Sequence, residues 1–153
     1  KSEQEPLKIW GHVAEGKIVN AKAPLITTQC IRVPVSDGHL AAVYVSFKKK
    51  PSKEEILDAI NHYKVNSIAK DLPSAPEKFL YYMEEANRPQ TKLDREFGHG
   101  MSITIGRLRA DTLFDYKFVC LSHNTLRGAA GGGVLSAEYL AAAGYLVPRL
   151  ELE

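Results

Sequence analysis

The sequence contains few of the residues that build disulfide frameworks, metal sites or membrane spans. Its two cysteines, Cys30 and Cys120, lie far apart and lack the CxxC or Cys/His spacing of a structural zinc site. No apolar run approaches the roughly 18 residues that a membrane helix needs, and no signal peptide is recognisable. We therefore expect reduced, buried thiols, no bound metal and a cytoplasmic location.

The sequence also has no large excess of positive or negative charge. The formal net charge is +2, and the one basic cluster, FKKKPSK, lies between a predicted strand and a predicted helix. We interpret this cluster as a solvated turn. Nucleic-acid-binding proteins usually carry a basic stripe or patch, so the balance of charge argues against nucleic acid as the main partner.

The sequence also lacks a recognisable nucleotide-binding loop. The stretch RGAAGGGV at 127–134 is rich in glycine, but it has neither the G-x-G-x-x-G spacing of a dinucleotide site nor the Gly-Lys-Ser/Thr of a P-loop. Two interpretations stay open. The glycines allow either close packing of a helix on a sheet or close approach of a ligand to the backbone.

The hydrophobic patterns that are present predict an α+β fold. We predict strands at 26–35, 40–47, 78–85, 101–109 and 116–124, and helices at 2–14, 52–63 and 125–145. The first two strands flank the turn SDGH and should pair as an antiparallel hairpin. Ser52 and Glu55 have the spacing of a capping box. The expected architecture is a mostly antiparallel or mixed sheet backed by helices.

Arg32 and His39 are the first candidates for chemistry, because they flank that predicted turn. The planar guanidinium of arginine suits a carboxylate, and histidine transfers protons near neutral pH. Together they would suit a substrate with a carboxylate near a carbonyl. The alternative is an ordinary arginine at a strand end and an ordinary histidine beside a turn.

Two further groups of residues each allow a structural and a functional interpretation. His123 ends a predicted strand where a helix begins. Asn124 or Thr125 could cap that helix, whereas Ser122, His123 and Asn124 could bind a ligand at its N-terminus. Glu5 and Lys8 share one face of the first predicted helix. They could form a weak surface ion pair or point into a cleft, with Glu5 facing an ammonium group and Lys8 an anion.

Taken together, these blocks resemble the aspartate-β-semialdehyde dehydrogenase family, most closely its fungal and archaeal branch. The segments that carry the resemblance are EPLK, CIRVPVSDGHL, NRPQTKLDR, MSITIGRLRAD and KFVCLSHNTLRGAAGGGVLSAEYL. They occur in the family's order and extend from Glu5 to Leu146. The resemblance implies NADPH-dependent reduction of aspartyl-β-phosphate to aspartate semialdehyde, in the biosynthesis of lysine, methionine and threonine.

The resemblance also implies roles for particular residues. Arg32 matches the arginine that holds the substrate α-carboxylate, and His39 matches the catalytic acid/base. Glu5 matches the carboxylate that holds the substrate amino group, and Lys8 matches the lysine that helps to bind phosphate. The cofactor-side segment corresponds to Asn124, Thr125 and Gly128.

Two features of the family are missing from the sequence: the cysteine nucleophile in its Ser-Asn-Cys-Ser/Thr block, and the amino-terminal NADP-binding Rossmann domain. We therefore expect residues 1–146 to be the carboxy-terminal catalytic and dimerisation domain, inactive alone. Its fold should resemble the corresponding domain of glyceraldehyde-3-phosphate dehydrogenase-like enzymes. Residues 147–153 resemble a vector-derived tail.

The resemblance implies homodimers, with tetramers of the parent protein left open. Two alternatives to this function also remain. One is a related acyl-phosphate reductase of the N-acetylglutamyl-phosphate type, whose substrate has a masked amine and should not need Glu5. The other is a purely structural assembly module.

Overall fold

A computed structural model describes residues 1–147, so most of the predicted tail at 147–153 lies outside the described residues. The chain divides into two compact units, Lys1–Pro34 and the residues from Val35 onward. Within the described part, no helix has both the length and the apolar character needed to cross a bilayer.

The first unit begins with a short helix and a small hairpin. Helix α1 spans Glu5–Ile9, and strands β1, His12–Ala14, and β2, Lys17–Val19, pair antiparallel. The prediction of one helix over 2–14 is therefore wrong beyond Ile9. Glu15 and Gly16 both have positive φ, of 50° and 72°, which suits the tight turn of a two-residue hairpin.

The segment 26–35 is not a strand, although its residues favour one. The structure assigns no strand from Leu25 to Val35, and Ile31 and Val33 are 75% and 59% exposed. Strand propensity reflects the fit of side chains to a paired, half-buried surface, and Pro34 has no N–H to give to a ladder. The predicted hairpin of 26–35 with 40–47 is therefore wrong.

The second unit is built on a four-stranded mixed sheet in the order β3-β6-β5-β4. The strands are β3 at His39–Val45, β4 at Leu80–Met83, β5 at Ile103–Ala110 and β6 at Tyr116–Ser122. β6 pairs antiparallel with both β3 and β5, whereas β4 runs parallel to β5. The predicted mixed sheet is confirmed, with β6 as the partner of β3.

Three α-helices and two short helical turns accompany these strands in the described part of the second unit. Helix α2 spans Lys53–Asn61, α3 spans Thr91–Asp94 and α4 spans Gly131–Ala142, with a 3₁₀ turn at Ala69–Asp71 and a π turn at Leu126–Ala130. The capping box of α2 is confirmed: Ser52 Oγ accepts from the N–H of Glu55 at 3.1 Å, and the Glu55 carboxylate accepts from the N–H of Ser52 at 2.7 Å.

The two faces of the sheet differ in how they are covered. Paired residues of neighbouring strands share a face, so Thr104, Leu121, Gly106 and Met83 lie on one face, where all four are buried. The segment 87–100 crosses this face, because a Cβ at Gly106 would collide with the carbonyl of Arg88 and touch Pro89. A segment for which the sequence predicts neither helix nor strand thus covers part of this face.

The opposite face has apolar residues that are only partly buried. They are Val43, Val45, Leu80, Tyr82, Ile103, Ile105, Phe118 and Cys120. Partly exposed apolar residues that share one face of a sheet are candidates for contact with another chain.

Candidate functional site

A buried ion pair anchors the segment 87–100. The side chain of Asp94 is fully buried, and its oxygens accept hydrogen bonds from Nε of Arg88 at 2.9 and 2.8 Å and from the N–H of Gln90 at 2.6 Å. Burial favours the protonated acid, but the hydrogen bonds from Arg88 and Gln90 outweigh it and lower the pKa of Asp94. Asp94 is therefore ionised and holds the segment closed on itself.

The turn SDGH is tied to two other segments of the second unit. Nη1 of Arg95 donates to Oγ of Ser36 at 2.6 Å, so the turn is linked to segment 87–100. Oγ1 of Thr125 donates to the carboxylate of Asp37 at 2.9 Å. The first two residues of the turn, Ser36 and Asp37, are thus each bound to a different segment.

The third tie reaches the residue just before His39. The N–H of Gly38 donates to Oδ1 of Asn124 at 2.7 Å. Gly38 is buried and has φ +106°, and a Cβ there would lie 3.1 Å from both Leu121 and Thr91. Only glycine fits this backbone and this space.

His39 therefore begins β3 directly after a fixed turn. It pairs with Ser122 across the β3–β6 ladder and its side chain is exposed. An exposed imidazole at a fixed point of the backbone can exchange protons with a bound molecule. The acid/base role of His39 stays a prediction.

His123, the competing histidine, has a structural role in this arrangement. Its side chain is 7% exposed, and its Nδ1 accepts from the N–H groups of Thr125 and Leu126, each at 3.2 Å. An Nδ1 that accepts two hydrogen bonds leaves the ring proton on Nε2, which lies 3.8 Å from a carboxylate oxygen of Glu96. His123, rather than Asn124 or Thr125, thus caps the π turn.

The other predicted substrate ligands lie in the first unit. Glu5 and Lys8 are both exposed on α1, and Arg32 is exposed in the extended segment before Pro34. Each carries the charge that its predicted role requires. Their assembly with His39 into one site stays a prediction.

The predicted cofactor residues lie around the π turn. Asn124 and Thr125 bind the SDGH turn through their side chains, while Gly128 is exposed and a Cβ there would meet only the carbonyl oxygen of His123, at 3.7 Å. By contrast, a Cβ at Gly131 would crowd Sδ of Met101. The glycine-rich stretch therefore combines one position of close packing with one of open backbone.

The cysteines and the metal-ligand residue types form no further site. Cys30 is exposed, so the expectation that it is buried is wrong, whereas Cys120 is half-buried and its burial raises the pKa of the thiol. Among residues 1–147, no three His, Cys, Asp or Glu side chains gather as a set of metal ligands.

Sequence reasoning missed the residues that fix the turn. Arg88, Asp94 and Arg95 lie in a segment for which the sequence predicts neither helix nor strand, and none of them is a candidate site residue. The sequence offers only a weak signal for the Arg88–Asp94 pair. Arg88 precedes a proline, and Asp94 follows six residues later. No pattern in the sequence indicates that Arg95 reaches Ser36, because that contact joins residues 59 positions apart.

Comparison with known proteins gives a consistent result. A family model described as "Semialdehyde dehydrogenase, dimerisation domain" matches residues 1–127. The aspartate-semialdehyde dehydrogenase of Archaeoglobus fulgidus is 46% identical over 140 residues, which cover 92% of this chain and 39% of that protein. The Saccharomyces cerevisiae enzyme is 39% identical over 148 residues, covering 93% of this chain and 40% of the relative.

A solved structure agrees with these sequence matches. The crystal structure of aspartate semialdehyde dehydrogenase with NADP from Candida albicans superposes with a TM-score of 0.82 at 36% identity. The superposition covers 94% of this chain and 42% of that one. The chain thus spans about two fifths of the proteins that it matches.

Proposed function

Because the chain belongs to the family of semialdehyde dehydrogenase dimerisation domains, we propose that it is the substrate-binding and dimerisation part of an NADP-dependent aspartate-semialdehyde dehydrogenase. The observation that carries this proposal is the superposition on the Candida albicans enzyme, at a TM-score of 0.82 over 94% of this chain. The parent protein would reduce aspartyl-β-phosphate to aspartate semialdehyde and release phosphate.

The charged residues of the first unit would bind the substrate. Arg32 would hold the α-carboxylate with two parallel hydrogen bonds, as a guanidinium can and an ammonium cannot. Glu5 would pair with the substrate ammonium group, and Lys8 would attract the phosphate. Their exposure supports these roles, since each head group is accessible to a small anion or zwitterion.

His39 would move the proton of the reaction. In the direction of aldehyde oxidation, a cysteine thiol of the parent would add across the aldehyde carbonyl to give a hemithioacetal. His39 would accept the hydroxyl proton of this adduct as hydride passes from the same carbon to NADP, which leaves a thioester that phosphate then cleaves. In the reverse direction His39 would return that proton. Its exposed imidazole at a fixed turn supports this assignment.

NADPH, when bound, would supply the hydride for this reduction. The open backbone at Gly128 is compatible with close approach of a flat ring, because no neighbouring side chain lies near its Cβ position. Asn124 and Thr125 would line the same region. Asn124 uses its oxygen on Gly38, which leaves its amide hydrogens as the donors that it could offer to the cofactor.

The partly buried face of the sheet would be the dimer interface. Val43, Ile103, Ile105 and Phe118 lie on this face, and a second copy can cover it through a two-fold contact. Obligate interfaces of this type commonly bury about 2,000 Å² or more. The description of the matching family as a dimerisation domain supports the same assignment.

The test uses the full-length parent protein. We expect phosphate-dependent reduction of NADP with aspartate semialdehyde, and none with N-acetylglutamate semialdehyde. The opposite preference would refute the proposal in favour of the N-acetylglutamyl-phosphate type of reductase. The 153-residue chain alone should show no turnover, and it should sediment as a dimer at micromolar concentration. A monomer would refute the interface.

A further inference from the structure

The segment 122–125 contacts both His39 and the residues immediately before it. Ser122 pairs with His39 in the β3–β6 ladder. Asn124 accepts the N–H of Gly38, and Thr125 donates to Asp37. The backbone at His39 and at the two residues before it is therefore held by the same short segment.

The bond between Gly38 and Asn124 is the most constrained of these contacts. Gly38 is buried, and a buried N–H without an acceptor is strongly disfavoured. The positive φ of this residue, +106°, turns its N–H away from an ordinary strand ladder, and Oδ1 of Asn124 accepts it at 2.7 Å. Without that oxygen, the left-handed turn has no acceptor to hold its N–H in this orientation.

The capping role of His123 makes this use of Asn124 possible. An asparagine at the start of a helical turn commonly caps it by accepting from the next N–H groups. Here the ring of His123 accepts from Thr125 and Leu126 instead. The side chain of Asn124 is consequently directed to the turn that precedes His39.

We propose that Asn124 is a positioning residue for His39. Asn124 accepts the Gly38 N–H and thereby fixes the backbone position from which the His39 imidazole extends. This inference rests on the proposed function, since it takes His39 as the proton-transfer group. A displacement of about 1 Å at a reacting group can lower the rate about 100-fold. Asn124 should thus control turnover without touching the aldehyde.

The experiment uses the full-length protein with three variants. Asn124→Ala removes the acceptor, Asn124→Asp keeps an oxygen in the same place but loses the amide hydrogens, and Asn66→Ala is the matched control. Asn66 also accepts a backbone N–H, from Ile68 at 2.9 Å, but within its own loop. The readouts are kcat, the KM for aspartate semialdehyde, the KM for NADP and the pH dependence of kcat.

We expect Asn124→Ala to lower kcat about 10- to 100-fold and to raise the KM for NADP by a smaller factor, because the amide hydrogens assigned to the cofactor are lost together with the oxygen that holds Gly38. Asn124→Asp should recover part of the lost kcat, and Asn66→Ala should resemble the parent. A raised KM for NADP with kcat preserved in Asn124→Ala would overturn the inference. So would a loss in Asn124→Asp as large as that in Asn124→Ala, because both results indicate a role for the amide hydrogens.

A double-mutant cycle separates an effect on His39 from a general loss of structure. In a His39→Asn background, Asn124→Ala should lower kcat less than about twofold further, because the group that it positions is already gone. An equal loss in both backgrounds would overturn the inference.

Peptide-level hydrogen exchange tests the geometry apart from the activity. In Asn124→Ala, the segment 36–40 should exchange at least several-fold faster, whereas Asn66→Ala should leave it unchanged. Unchanged exchange of this segment in Asn124→Ala would overturn the inference even if activity fell. Failure of the proposed function gives a different result, namely a parent protein that does not turn over aspartate semialdehyde while the exchange of segment 36–40 still depends on Asn124.

Discussion

Segments 26–35 and 87–100 differ in the opposite way from what their compositions predict, both in strand formation and in burial. The first is rich in β-branched residues and yet forms no strand, with Ile31 and Val33 largely exposed. The second is polar and yet packs on the buried face of the sheet, and the side chain of Asp94 within it is fully buried. Residue propensity alone would therefore have identified segment 26–35, and not segment 87–100, as part of the sheet and its core.

Hydrogen bonding explains the difference. Segment 87–100 closes on itself through the Arg88–Asp94 pair and reaches the SDGH turn through Arg95. Within the first unit, the N–H of Thr28, near the start of segment 26–35, donates a hydrogen bond to the carboxylate of Glu3 at 2.8 Å. A buried and fully paired charge fixes a segment more firmly than β-branched side chains without a partner strand.

The largest effect should come from the residue that follows the fixed turn. In the full-length protein, His39→Asn should lower kcat about 100- to 10,000-fold, because asparagine cannot transfer a proton. The KM for aspartate semialdehyde should change little, since binding is assigned to other residues. Steady-state kinetics measure both values, and a preserved kcat would remove His39 from the mechanism.

The comparison of the two segments is tested directly by truncating one side chain in each. Asp94→Ala should lower the free energy of unfolding by about 3 kcal/mol, because it leaves the Arg88 guanidinium without its partner. Ile31→Ala, in the exposed segment, should lower it by less than about 0.5 kcal/mol. Urea denaturation measures both, and similar losses would contradict the comparison.

A matched control and the pH dependence sharpen this result. Asp71→Ala removes an exposed aspartate 3.8 Å from Lys70 and should be nearly neutral. Because folding lowers the pKa of Asp94, its stabilising contribution is present above the unfolded-state pKa and is lost as the pH falls through the folded-state pKa. Asp94→Ala should therefore show a weaker loss of stability in acid than the unmodified chain.

A smaller effect is expected at Arg32, in the segment without a strand partner. Arg32→Lys in the full-length protein should raise the KM for aspartate semialdehyde about 10-fold, because lysine keeps the charge and loses the two-pronged fork. kcat should change less than about threefold if the residue binds both the substrate and the transition state. A fall in kcat with an unchanged KM would argue against a binding role.

The smallest effect is expected in helix α2, which lies outside both segment 26–35 and segment 87–100. Ser52→Ala removes the capping box of α2 and should lower the free energy of unfolding by about 1 kcal/mol. Ser67→Ala, at an exposed serine of the following loop, is the control and should change it by less than about 0.5 kcal/mol. Equal values for the two variants would show that the cap contributes nothing measurable.

The elements that the sequence predicted well are those with local signals. The capping box of Ser52 and Glu55 lies within one helical turn, and it fixes the start of α2. The alternation of apolar residues placed β3, β5 and β6 to within a few residues. Period and capping are properties of neighbouring residues, so they are readable without knowledge of the fold.

The candidate site divides along the same line. The residue types at Arg32 and His39, and the family resemblance at Glu5 and Lys8, predict carboxylate binding and proton transfer, and these roles stay predictions. The direction of the Asn124 side chain was not readable. Its contact with Gly38 spans 86 positions of the chain, and the usual preference of asparagine for a cap pointed elsewhere.

The sequence by itself determined the type of fold, the capping box of α2 and the side chains available for chemistry. Tertiary structure alone decided that β6 pairs with β3, that segment 26–35 forms no strand, and that the polar segment 87–100 covers the sheet. The physical reason is that a strand needs a partner for its backbone groups and a buried charge needs a counter-charge. Those partners are distant in sequence and are identified only when the chain has folded.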